Sequence, residues 1–116
     1  MIETLKDVVL NALDDIKAQD VNSLAVKEMT PITDYMIIAS GTSTTHIKAI
    51  ADNVVHKVKE LALQPLGVEG KKGADWILID LGDIVIHVML PNSREFYALD
   101  KLWSPLNQEL GRAPTL

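Results

Sequence analysis

Residues 69–103, EGKKGADWILIDLGDIVIHVMLPNSREFYALDKLW, decide how the rest of the chain is read. Two apolar runs, residues 76–80 and 84–90, are separated by a short turn at Leu81-Gly82, the pattern of a β-hairpin. Period-two alternation on the first run sends Trp76, Leu78 and Asp80 to one side and Ile77, Ile79 and Leu81 to the other. A buried sheet face rarely takes both an aspartate and a large indole, so the isoleucine side is read as the core face. The Trp76 side is then expected to be at least partly exposed. A two-residue loop would add Val85 and His87 to that side; a three-residue loop with a bulge at Gly82 would add Ile84 and Ile86 instead. The histidine favours Val85, His87 and Met89 as the outer set. Four of the five aromatic residues fall in this stretch. Tryptophan, tyrosine and arginine are enriched at interface hot spots, and residue types alone leave two readings open: a docking face or a second packed core.

Working outward, Leu5, Val8, Val9, Ala12, Leu13 and Ile16 recur at three- and four-residue steps, predicting a helix with one core-facing side. Residues 23–27 alternate as a short strand with Leu24 and Val26 on one face. Pro31 and Asp34 then make a turn. Residues 35–39 form a continuous apolar run suited to a strand covered on both faces. Ser40-Gly41-Thr42-Ser43 follows, with Ser43 as N-cap of a helix carrying Ile47, Ile50, Ala51, Val54, Val58 and Leu61 on one stripe. Pro65 and Gly67 mark its far end, and Val68-Glu69 reads as a third strand before Gly70 and Gly73 bracket Lys71 and Lys72. Beyond the hairpin, Ser93 is expected to cap a short helix running through Leu99 to Trp103. Pro105 stops it, and residues 111–116 read as a loose tail. Helix, two strands, helix, three strands and a short helix imply a single α+β domain over residues 1–110, a mixed sheet of about five strands with helices packed on it.

The totals narrow the function classes. One domain suffices for 116 residues, and 47% hydrophobic with 23% charged residues is the composition of an ordinary globule. The chain has no cysteine, which removes thiolate nucleophiles, disulfides and cysteine-based zinc sites. His46, His56 and His87 lack a metal-ligand spacing. Sixteen acids against eleven bases give a net charge of −5, which disfavours a phosphate-backbone binder unless bases are concentrated on one face and suits a basic partner, so no sequence-specific nucleic acid is expected. No signal peptide or membrane-spanning run is recognisable, so a cytoplasmic location is expected.

Catalysis finds little support. The Ser40–Ser43 turn sits where phosphate loops occur, but it matches neither GxxxxGK[ST] nor GxGxxG and reads as a turn with a cap. His46 reads as a surface or capping residue more readily than as a base. Asp80 and Asp83 flank a turn, where aspartates usually bond the backbone. An enzymatic alternative, metal-dependent nucleotide binding, would need these carboxylates close together and near the Ser40–Ser43 turn. No catalytic residue, metal ligand or cofactor is nominated.

Several segments taken in order resemble the ribosomal silencing factor family, also called Iojap-like. They are Asp34-Tyr35, Ser40-Gly41-Thr42-Ser43 with His46, Lys48-Ala49-Ile50-Ala51-Asp52, Glu69-Gly70, Trp76 through Asp83, His87, Arg94-Glu95-Phe96-Tyr97 and Leu102-Trp103. Each is weak alone, and their succession over nearly the whole chain is specific. The resemblance implies a mixed sheet similar to the nucleotidyltransferase fold without its catalytic carboxylates, and a non-enzymatic protein. It implies binding to the large ribosomal subunit through protein L-fourteen, which blocks joining of the small subunit and represses translation when nutrients are scarce. Carried onto this chain, it makes Trp76, Leu78 and His87 the apolar centre of the contact and Asp80 its acidic partner. Met89 shares their side, and Arg94, Tyr97, Leu99 and Trp103 form the rim or support. Thr45 stands where a longer polar residue is common, and Met89 where an aromatic is frequent. A homodimer in the absence of ribosomes is a further expectation.

Overall fold

In the computed structural model, residues 2–70 and 73–102 are described; Trp103 and the expected tail at 111–116 lie outside them. The helix α1 (Ile2–Asp15) is followed by β1 (Gln19–Ala25), β2 (Tyr35–Ser40), α2 (Thr44–Lys59), β3 (Gly67–Glu69), β4 (Trp76–Asp80), β5 (Ile84–Met89), α3 (Pro91–Tyr97) and α4 (Leu99–Leu102). The five strands form one sheet in the order β1-β2-β5-β4-β3. Only β2 and β5 run parallel; the other neighbours are antiparallel, which makes the sheet mixed.

The apolar stripes read from the sequence dictate the main layer. Leu5, Val9, Ala12 and Leu13 of α1 and Ile47, Ile50, Ala51, Val54 and Val58 of α2 bury against Ile37, Ala39, Ile77, Ile79, Ile84, Ile86 and Val88 of the sheet. These strand residues alternate with the others along β2, β4 and β5, so one sheet face forms this core. The Ser43 hydroxyl accepts from the His46 N–H at 3.1 Å, the cap expected for α2. That helix stops at Lys59, so Leu61 lies beyond it and is exposed rather than on the buried stripe.

Two ends differ from expectation. The α1 terminus is closed by Lys17 in the left-handed region (φ 58°), with Lys17 N–H bonded to Asp14 O and Ala18 N–H to Leu13 O. This is a Schellman closure without glycine. It lets β1 start at Gln19, four residues before the alternating run that marked it in the sequence. Asp20, also left-handed (φ 49°), lies within the register shift where β1 joins β2. Ser93 does not cap the third helix: Leu90 occupies the cap position without a side-chain bond, and Pro91 is the first helical residue, where its missing N–H costs nothing. A left-handed Ala98 then divides the segment into α3 and α4.

Candidate docking face

Register fixes the second sheet face. Trp76 pairs with Met89, Leu78 with His87 and Asp80 with Val85, so the loop has the two-residue length expected from the histidine, but its residues are Gly82 and Asp83, one position beyond the expected Leu81-Gly82. The Leu81 N–H donates to the Ile84 carbonyl, and Gly82 takes φ +88°, which suits the first position of a tight hairpin turn.

Sharing a side is not sharing solvent. Trp76, Leu78 and Asp80 are half-buried, whereas His87 and Met89 have no exposed surface and Leu99 is 5% exposed. The expectation that Val85, His87 and Met89 form an outer set is therefore corrected: they share the Trp76 side, but all three are buried. Met89 and Leu99 belong to a small second core with Val26, Met36 and Ile38, against which Leu24, Met29, Trp76 and Leu102 pack. Of the two readings left open by residue types, a second packed core covers part of this side, and the remainder stays partly exposed. The α3–α4 segment seals the part over β2 and β5, while β4 stays half-open.

His87 is buried because one of its polar atoms finds a partner inside. The Trp76 Nε1–H donates to His87 Nδ1 at 2.8 Å. Acceptance at Nδ1 places the ring proton on Nε2, which has no hydrogen-bond partner among the described residues. Burial disfavours the charged ring and lowers its pKa from 6.5 to about 4.

Arg94, expected at the rim or as support, is an internal tie. Its guanidinium holds both Asp100 oxygens at 3.1 and 2.9 Å, and Nη1 also donates to Ser40 Oγ at 3.0 Å and to the Asp20 carbonyl. Asn22 adds a bond to Asp100 at 2.8 Å. Burial alone would push the Asp100 carboxyl up; the Arg94 and Asn22 hydrogen bonds and the guanidinium charge outweigh it and hold the group below its ordinary range. This network fastens α3 and α4 to β1 and β2, and it fixes which α3 residues point outward.

Among them are two aromatic residues, Phe96, 81% exposed, and Tyr97, 51% exposed. Tyr97 lies 4.8 Å from the Trp76 ring centroid, and Phe96 meets Tyr97 edge-on at 5.1 Å. The three rings form a continuous aromatic ledge with His87 beneath it. Beside the ledge, Glu69, Gly70, Trp76 and Leu78 line an apolar groove of about 300 Å³. Phe96 was not among the contact residues chosen from the sequence, although a ring next to Tyr97 in a helix of only seven residues has little core to enter. Asp80 faces the groove side but uses Oδ1 to accept the Gly82 N–H at 2.8 Å, the backbone role anticipated for it.

The alternative site does not assemble. In the parallel pairing Tyr35 aligns with Ile84 and Ser40 with Met89. Asp80 and Asp83 therefore flank one end of these strands and the Ser40–Ser43 turn the other, about 17 Å away at ~3.3 Å per residue. His46 bridges that turn to the residue just after α1, Nδ1 accepting from Thr42 N–H at 2.9 Å and Nε2 lying 2.6 Å from the Ile16 carbonyl. Both ring nitrogens are thus committed to structure. No helix among the described residues is long and apolar enough to cross a membrane.

Comparison with known proteins agrees with this geometry. Residues 1–114 match the family model described as ribosomal silencing factor during starvation. A Haemophilus influenzae ribosomal silencing factor is 40% identical over 100 residues, covering 86% of this chain and 98% of that one. Its Chromobacterium violaceum counterpart is 38% identical over 102 residues, covering 88% and 84%. A crystal structure of a C. violaceum protein superposes with a TM-score of 0.86 at 38% identity, covering 89% of this chain and 86% of that one. The chain belongs to the ribosomal silencing factor family.

Proposed function

We propose that this chain binds the large ribosomal subunit through protein L-fourteen and, by its bulk, prevents the small subunit from joining, so that translation is repressed when nutrients are scarce. The observation that carries the reading is the open aromatic ledge of Trp76, Tyr97 and Phe96 with its apolar groove, on a protein of this family. Large exposed rings are the residues from which interface hot spots are built. Glu69 at the groove and Asp80 on the same side add negative charge to a chain already at −5, favouring a basic ribosomal partner through steering and orientation. No chemical step is required, and the site of action is the cytoplasm, where free large subunits are found.

The contact residues differ from the set first expected. Trp76, Leu78, Tyr97 and Phe96 touch the partner; Asp80 supplies charge; His87, Met89, Leu99 and Arg94 support them from below. With no ribosome present, the same ledge would be covered by a second copy of the chain, giving a dimer that dissociates on docking. Sucrose-gradient sedimentation tests the reading. The wild-type chain is expected with free large subunits and absent from joined ribosomes. Trp76→Ala and Phe96→Ser are each expected to weaken association at least about tenfold, the scale of a hot-spot truncation. Phe96→Ser, altering a side chain 81% exposed, should leave stability within ~0.5 kcal/mol. Normal co-sedimentation of both variants would refute the choice of face.

A further inference from the structure

His87 has no exposed surface, so it offers a partner nothing directly. Its one described polar contact is the bond to the Trp76 indole. The two residues are diagonal neighbours on adjacent strands, since His87 sits opposite Leu78 and Trp76 opposite Met89. Diagonal pairs are within reach of long aromatic side chains. Trp76 is tilted by 48° both to His87, at 5.5 Å, and to Tyr97, at 4.8 Å. Neither contact is a flat stack, and tilted ring contacts alone tolerate rotation of a half-buried indole. A hydrogen bond has a direction, and it removes that freedom.

We infer that His87 is a positioning residue for docking: through Nδ1 it fixes the Trp76 indole in the orientation that presents its open side, beside Tyr97 and Phe96, to the partner. The inference rests on the function proposed above and deepens it. The cost visible in the structure supports it. His87 keeps Nε2 buried without a partner among the described residues, and stranding a buried donor is unfavourable. An apolar ring of similar volume would fill the space without that penalty, so packing alone does not account for a histidine here. An acceptor at Nδ1 is what the apolar ring would lack. Fixing a side chain before binding raises affinity because less freedom is lost on contact.

Two substitutions separate positioning from packing. His87→Asn keeps an acceptor near the Nδ1 position in a smaller side chain; His87→Phe keeps the ring volume and removes the acceptor. Positioning predicts that Asn binds large subunits within about threefold of wild type and Phe about tenfold more weakly, the scale of one lost hydrogen bond. It predicts this order although Phe, apolar and ring-sized, should be the more stable of the two in urea. Binding that follows stability, with Phe at wild-type affinity, overturns the inference. Trp76→Ala distinguishes the two levels: if it too binds normally, the ledge is the wrong face; if it fails while Phe binds normally, only the positioning role falls. A measurement on the wild-type chain decides the matter even where a variant does not fold. The indole N–H of Trp76, assigned against Trp76→Phe, is expected to exchange with solvent deuterium at least about tenfold more slowly than a free indole. Exchange at the free rate overturns the hydrogen bond on which the role depends.

Discussion

Acid should unfold this protein through His87 before its carboxylates are exhausted. The ring's pKa is lowered from 6.5 to about 4 by burial. Between those values the unfolded chain binds a proton that the folded chain refuses, so stability rises with pH across the window. The sign follows: the protonation cost of burying His87 is absent above about pH 6.5, grows as pH falls, and levels off near pH 4. A difference of about 2.5 units at ~1.36 kcal/mol each gives about 3 kcal/mol at full extent, a sizeable share of a small domain's stability. Urea unfolding from pH 7.5 to 4.5 measures it, with His87→Phe as reference because the variant keeps the other titrating groups. Wild type should lose about 2 kcal/mol more than the variant by pH 5, from 1.5 units at the same conversion. Proton NMR should place the imidazole midpoint well below 6.5. Parallel losses in the two proteins, or a midpoint at the ordinary value, would refute the burial argument.

Other changes test the framework around the ledge. Arg94→Ala should cost on the order of 2 kcal/mol in urea unfolding, because it frees Asp100 and detaches α3 and α4 from β1 and β2. Arg94→Lys should recover little of that loss, since an ammonium cannot hold both carboxylate oxygens as the planar fork does. The Asp100 pKa is lowered in the folded state, so the stability it adds is present above the ordinary carboxylate range and is lost as pH falls through its folded value. Lys17→Gly should raise stability by ~0.5–1 kcal/mol, because the backbone there is left-handed (φ 58°); a melting temperature at or below wild type would count against that account of the α1 terminus.

Much of the sheet was legible because alternation in a strand is rigid. With Ile77 and Ile79 on the core side, Trp76, Leu78 and Asp80 have no other face to occupy, and a two-residue loop puts His87 on their side; its pairing with Leu78 depends on the turn falling at Gly82-Asp83, one residue beyond the expected Leu81-Gly82. What escaped was long-range and polar. Arg94 reaches Ser40 across 54 positions and Asp20 across 74, and nothing local in Ser93-Arg94-Glu95 announces that partnership. The polarity of a histidine ring argues for the surface because it is costly to bury; an indole eleven residues away in sequence takes one of its nitrogens and permits the burial. Lys17 closes α1 in a conformation usually signalled by glycine, so the start of β1 was hidden.

These omissions share a cause that bears on function. The Arg94 network and the Trp76–His87 bond both lie beneath the open face, and each sets the position of a ring above it. Tyr97 and Phe96 stand where they do because α3 is tied down at Arg94, and Trp76 is oriented from below by His87. An aromatic ledge held only by its own ring contacts would lose conformational freedom on docking; one fixed by directional bonds loses that freedom at folding. On the proposed function, His87, which sequence reasoning assigned to the contact, and Arg94, assigned to its rim or support, bear on docking through the rings they position, so substitutions beneath the ledge test that proposal as directly as substitutions on it.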